Sequence, residues 1–220
     1  EAAQKASEDI PTMFAAGKKP VVVIDPGHSK KSTGTYKTWD GVTYREEELT
    51  MKIARYAKEA LEKYGNVEVY LTRDENGNPS LYDRVKFAKD KGAAILVSIH
   101  LNSAGSTNEV PTSANGVEAM VAKIGSYNPE NAQNGQNLAG AILEELVGLG
   151  FKDRGFVFKT GDQNYEDGSK ADYYGIVRYG QQLKVPSIIV EHGFLNNESD
   201  FRTYLSTESG LKSLGEADAR

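Results

Sequence analysis

The chain has three histidines, His28, His100 and His192, and each stands at or just beyond the end of an apolar run. Residues 21–24 lead into Asp25-Pro26-Gly27-His28, residues 94–99 into His100-Leu101-Asn102, and residues 187–190 into Glu191-His192-Gly193. Near-continuous β-branched runs of this kind form strands buried on both faces. Open α/β sheets bind ligands at the carboxyl ends of such strands. A lone histidine at a strand end is more often a satisfied polar group than a ligand. Three at one edge, with a glutamate among them, point to metal chemistry. Two neutral imidazoles and one carboxylate make a donor set of catalytic zinc sites, with a position left for water.

The third ligand comes from Glu46-Glu47-Glu48, which opens a helical pattern. Seven residues on from Glu46 is Ile53 and eleven on is Ala57, so Glu46 continues the apolar stripe toward the sheet. Glu47 lies at the border of that stripe and Glu48 faces solvent. All three also suit a helix N-terminus, which favours acidic side chains. Periodicity selects Glu46 as the ligand. Glu191 and His192 are strand neighbours and must point to opposite faces. Glu191 is expected to serve as the general base, and His192 to pack or hydrogen-bond outside the site.

The elements that position these groups alternate. The run 67–71 alternates in polarity and reads as a strand nearer an edge. Ile53, Ala57, Ala60 and Tyr64 share a helix face that closes at Gly65. Ser80 and Asp83 resemble a capping box ahead of Leu81, Val85 and Ala88. Leu138, Ile142, Leu146 and Leu149 form another stripe, closed by Gly150, and residues 200–205 also look helical. The expected fold is α/β: a central, mostly parallel twisted sheet of about six strands with helices on both faces. Residues 1–19 read as a tail and 20–220 as one domain. A loop-rich insertion spans about 102–137, where seven asparagines surround one short apolar segment, 116–124.

Composition narrows the chemistry. The chain has 220 residues, 39% hydrophobic and 26% charged, enough for a real core. A net charge of -5 argues against nucleic-acid binding. The absence of cysteine removes disulfides, thiolate metal sites and cysteine nucleophiles. No apolar run is long enough to span a bilayer. Neither an HExxH zinc-protease motif nor a GxSxG nucleophile elbow occurs.

These motifs resemble a known family. Asp25-Pro26-Gly27-His28, the glutamate opening a helix with Met51, Ile53 and Ala54, Thr72-Arg73, Leu81 with Arg84, residues 98–102 (SIHLN) and residues 186–197 (PSIIVEHGFLNN) occur in order along most of the chain. Together they resemble the zinc-dependent N-acetylmuramoyl-L-alanine amidases of bacterial cell walls. The resemblance implies one zinc ion per chain on His28, Glu46 and His100, with Glu191 catalytic. It implies hydrolysis of the amide between N-acetylmuramic acid and L-Ala in peptidoglycan. An extracytoplasmic location and a monomer are expected, with any signal or anchor outside these residues and a regulatory protein partner as a further expectation. Ser29-Lys30-Lys31 stands where family members often have glycines, and the segment around Trp39 and Tyr44 also departs from the commonest form. Arg73 and Arg84 fall at family-like positions and are expected in ion pairs at helix and strand ends, ahead of the alternative of a substrate contact. For Arg178 a structural pair and a contact to a stem-peptide carboxylate remain open. Tyr165, Tyr173 and Tyr174 are candidate groove residues. Two rival readings stand beside the amidase: a catalytically silent or partner-activated wall-binding module, and a zinc hydrolase of another peptidoglycan amide.

Overall fold

The computed structural model describes residues 18–105, 110–125 and 127–220. Six strands form the central sheet: β1 (Val21–Pro26), β4 (Glu68–Leu71), β5 (Ile95–Asn102), β6 (Val117–Met120), β7 (Asp153–Val157) and β10 (Ser187–Phe194). Their order is β4-β1-β5-β10-β6-β7. All neighbours are parallel except β10 and β6. The alternating run 67–71 is the edge strand β4, as its half-polar pattern requires.

Successive strand residues face opposite sides, and each side carries its own helices. Ile24, Val97, Ile99 and Val190 pack under α1 (Glu46–Glu62), α3 (Pro129–Gly148) and α5 (Glu208–Asp218). Val23, Leu96 and Ile189 pack under α2 (Leu81–Asp90) and α4 (Gly175–Leu183). Ile53, Leu96, Ile99, Leu146, Ile188 and Leu214 are fully buried, each contributing about 1.5–3 kcal/mol relative to exposure. Among the described residues no helix is long and apolar enough to cross a membrane.

Local signals set the helix ends. Ser80 accepts the Asp83 N–H at 3.2 Å and caps α2. Gly65, at φ +72°, turns the chain after α1, where an L side chain would be strained. Two stripes are shorter than periodicity alone suggests: Val85 and Ala88 are buried, but Leu81 is exposed, and so is Tyr64 beyond the end of α1. The loop-rich stretch expected through 137 ends at Asn128. Pro129 opens α3 and Asn128 caps it, so Asn131, Asn134 and Asn137 lie on a helix. Asparagine at a cap and proline at the first position start helices. Within 116–124 the strand is limited to β6. Two hairpins lie outside the expected elements: β2 (Tyr36–Trp39) with β3 (Val42–Arg45), and β8 (Thr160–Asn164) with β9 (Lys170–Asp172). Asp40 and Gly41 both have positive φ between β2 and β3, as a tight two-residue hairpin turn demands. Residues 201–205 form a π-helical turn. The tail expected over 1–19 lies almost wholly outside the described residues.

Candidate metal centre

Asp25, at the end of β1, is fully buried and accepts hydrogen bonds from Thr72 Oγ1, Arg84 Nη1 (2.7 Å) and Ser98 Oγ (2.6 Å). Beyond it the chain turns sharply. Gly27 N–H donates to Ile99 O at 2.9 Å. A Cβ at Gly27 would come within 2.6 Å of His100 Nε2 and of Ile99 O, so the residue directly before His28 can carry no more than hydrogen without displacing the other histidine's strand. His28 itself adopts φ +62°, a conformation disfavoured for a residue with a Cβ.

Two arginines hold that turn. Arg84 donates to Pro26 O (2.9 Å) and His28 O (2.8 Å). Arg73 donates to Pro26 O (2.9 Å), Gly27 O (2.9 Å) and Glu47 O (3.1 Å). Arg73 thereby ties the His28 turn to the first turn of α1. Arg84 forms the expected ion pair, with Asp25. Arg73 differs: its acceptors are the backbone carbonyls of Pro26, Gly27, Glu47 and Asp74, because it lies under turns whose carbonyls need donors.

Glu46 enters from the β2–β3 hairpin as the first residue of α1. Its N–H donates to Thr35 O (2.9 Å), and Thr35 N–H donates back to Glu46 Oε2 (2.8 Å). Leu101 N–H donates to Glu46 Oε1 at 3.0 Å. The same carboxylate lies 2.9 Å from His100 Nδ1 and 3.2 Å from His28 Nε2. Burial alone would push the Glu46 carboxyl up, but hydrogen bonds with His100 and His28 hold it at about 2. The structure thus brings His28, Glu46 and His100 together, with one donor atom of each within 4.8 Å of the others. Such a constellation could hold a divalent ion. Glu47 is also buried, but its carboxyl is not part of this group.

Glu191 sits opposite His100 in the β5–β10 ladder and opposite Glu118 in the β10–β6 ladder. Its Oε2 is buried without a hydrogen-bond partner. Burial, then the charges of Glu46 and Glu118, raise the Glu191 carboxyl well above the usual range. An orphaned acidic oxygen beside three converging ligand atoms fits a site whose remaining partner is a cation or a water held by one. His192 points to the other face, as alternation requires. Its Nε2 lies 2.8 Å from Asp218 Oδ1 and its Nδ1 3.1 Å from Val190 O. Both ring nitrogens therefore face acceptors, the pattern of an imidazolium.

The remaining candidates separate. Arg178 Nη1 donates to the carbonyls of Asp172 and Tyr173, each at 3.0 Å, and so braces the start of α4. Tyr165 is buried and donates to Asp172 Oδ2 at 2.6 Å. Tyr173 is exposed. Tyr174 lies near Glu191 and Glu118: burial, then their charges, raise its hydroxyl pKa. Gly34 was not a sequence candidate, yet a Cβ there would come 2.3 Å from Glu46 Oε2 and 2.6 Å from His28 Cδ2. Its φ of +73° is a second structural sign, whereas the sequence shows only a glycine in a loop.

The family model described as N-acetylmuramoyl-L-alanine amidase matches residues 22–220. The chain is 28% identical to the sporulation-specific N-acetylmuramoyl-L-alanine amidase of Bacillus subtilis over 199 residues, 90% of this chain and 65% of that protein. It is 32% identical to the amidase LytC of the same organism over 188 residues, 83% of this chain and 32% of LytC. The chain thus spans less than two thirds of both relatives. Among solved structures, an N-acetylmuramoyl-L-alanine amidase from Clostridium difficile 630 superposes with a TM-score of 0.72 at 26% identity, covering 92% of this chain and 94% of that one. The amidase AmiC2 of Nostoc punctiforme gives a TM-score of 0.68 at 27% identity, covering 91% and 93%.

Proposed function

This chain belongs to the N-acetylmuramoyl-L-alanine amidase family, and from that premise we propose that it hydrolyses the amide between N-acetylmuramic acid and L-Ala in peptidoglycan with one zinc ion. The observation that carries this reading is the convergence of His28, Glu46 and His100 beside the unpartnered Oε2 of Glu191. The three would hold the zinc. Two imidazoles and a carboxylate are a zinc donor set, and Glu46 is held ready as an anion by backbone N–H groups. A zinc ion bound there supplies Lewis-acid chemistry, acidifying a water and polarising the amide carbonyl.

Glu191 carries the proton. Burial and acidic neighbours make its carboxylate a strong base. It accepts a proton from the attacking water as the hydroxyl oxygen bonds to the carbonyl carbon. It then delivers that proton to the L-Ala nitrogen as the carbon–nitrogen bond breaks, leaving a carboxylic acid and a free amine. Arg73 and Arg84 hold the backbone of the first ligand, so the geometry needs little rearrangement before reaction. Action outside the cytoplasm, where peptidoglycan lies, goes with this reading.

Digestion of purified peptidoglycan with zinc and with a chelator tests it. New L-Ala amino termini, abolished by the chelator, are expected. Cleavage at another amide would leave a zinc hydrolase of different specificity. No cleavage under either condition would favour the silent or partner-activated binding module.

A further inference from the structure

His100, Glu191 and Glu118 form one row across the sheet, each directly paired with the next. Arg154 of β7 ends that row: its Nε donates to Glu118 Oε2 at 2.7 Å. Opposite residues in paired strands project from the same face, so the four side chains line one surface from the metal ligands to the sheet edge. The β6–β7 register shifts between Val117 and Ala119, beside Glu118, and Gly155 follows Arg154 at φ +74°. A bulge of this kind re-aims a side chain near an active site.

The Arg154 side chain is fixed from two sides. Glu118, 12% exposed, holds Nε, and the guanidinium lies 5.0 Å from the centre of the Phe194 ring. Phe194 is itself buried. Among the described residues neither Nη group has an acceptor within hydrogen-bond distance. Two parallel N–H donors in a held plane match a carboxylate in bidentate fashion. The surroundings are acidic: Glu46, Glu191 and Glu118 line the site, and Asp200 also lies close to Arg154. A carboxylate at this end of the row, away from the zinc, would meet the charges of Glu118 and Asp200 unless Arg154 received it.

We propose that Arg154, held by Glu118, is the subsite that receives a free carboxylate of the stem peptide. The inference rests on the amidase reading and names the part of the substrate that the far end of the row recognises. Strands lie about 4.8 Å apart, so Arg154 stands roughly 10 Å from Glu191 along the row. An extended peptide rises about 3.3 Å per residue. A carboxylate two to three residues beyond the scissile amide reaches that distance.

The test compares an N-acetylmuramoyl dipeptide with an acidic second residue against the same compound with its carboxyl groups amidated. Equilibrium binding is measured on zinc-loaded Glu191→Gln protein, with and without Arg154→Met, and cleavage is measured with Glu191 intact. The acidic compound is expected to bind roughly tenfold tighter or more. Arg154→Met should remove that preference while kcat is kept, the loss falling on KM. Glu118→Gln should weaken the preference in part, since Nε loses its anionic partner. Equal binding of both compounds, or a preference that survives Arg154→Met, overturns the subsite. Failure to release L-Ala amino termini overturns the amidase reading instead, and the binding comparison still judges Arg154.

Discussion

Glu191 stands directly across the β5–β10 ladder from His100, the two projecting from the same face of a parallel pair. A strand order that places the last parallel strand beside the central one sets Glu191 next to one of the three converging donor groups. No local feature of either segment requires that neighbour. The pairing makes Glu191 part of the site and leaves His192, one residue on, in the opposite layer.

The first prediction concerns Glu191 as the proposed general base. Glu191→Ala should lower turnover by about 10²–10⁴, the usual contribution of a positioned general base. Zinc content of the purified variant should match wild type, because the converging donors are His28, Glu46 and His100. Metal analysis beside an assay of released L-Ala amino termini reads both, and a variant with most of its activity would remove Glu191 from the mechanism.

Glu46 and Glu47 are both buried on the first turn of α1, and only Glu46 reaches the histidines. Glu46→Ala should cut zinc affinity at least as much as the roughly 10–100-fold that loss of an outer partner costs. Glu47→Ala should cost far less. Calorimetric titration of the metal-free variants ranks them, and the reverse order would show that the wrong glutamate has been placed at the site.

Gly34→Ala tests how closely the proposed ligands are packed. A Cβ there meets Glu46 Oε2 and the His28 ring, at a backbone conformation that disfavours side chains. Zinc affinity is expected to fall about 10–100-fold. Gly41→Ala, also at positive φ but with open space around it, is the control for backbone strain and should leave zinc binding near wild type.

Arg84 and Asp25 form a buried ion pair beneath the His28 turn, 4% and 1% exposed. Arg84→Met leaves Asp25 buried without its cation and should cost about 3–5 kcal/mol in urea unfolding. A loss under ~1 kcal/mol would mean that Thr72 and Ser98 satisfy Asp25 unaided.

The His192–Asp218 contact gives stability a pH dependence. Burial disfavours the His192 imidazolium, but the Asp218 charge and hydrogen bond outweigh it, and the pKa is raised. A raised histidine pKa adds stability that is full below the unfolded value of ~6.5 and is lost as pH rises through the folded value. Asp218→Asn should therefore destabilise most near pH ~6 and progressively less toward pH ~9. Urea midpoints across that range check the sign, and a cost that grows with pH would contradict it.

Much of this was legible in the sequence by itself. The apolar runs determined the buried strands, the 3.6-residue stripe picked Glu46 over its neighbours, and strand alternation separated Glu191 from His192. These are local properties with fixed periods, so they show through without knowledge of the fold. Asp40-Gly41 is equally local, a turn signal outside the apolar runs on which the expected elements rest. Asn128-Pro129 likewise starts α3 through the cap chemistry of two residues, against the loop-like composition around it.

Other features only the tertiary structure decided. Arg73 and Arg84 are expected from sequence in ion pairs, but their actual acceptors are the carbonyls of Pro26, Gly27, His28 and Glu47 and, for Arg84, the Asp25 carboxylate, which the fold gathers around them. Gly34 matters because a hairpin and a helix meet over it. The row from His100 through Glu191 and Glu118 to Arg154 crosses four strands taken from distant parts of the chain. Which strands become neighbours is settled by burial of whole faces and by the crossover path, a global balance with no signature in the spacing of any one segment.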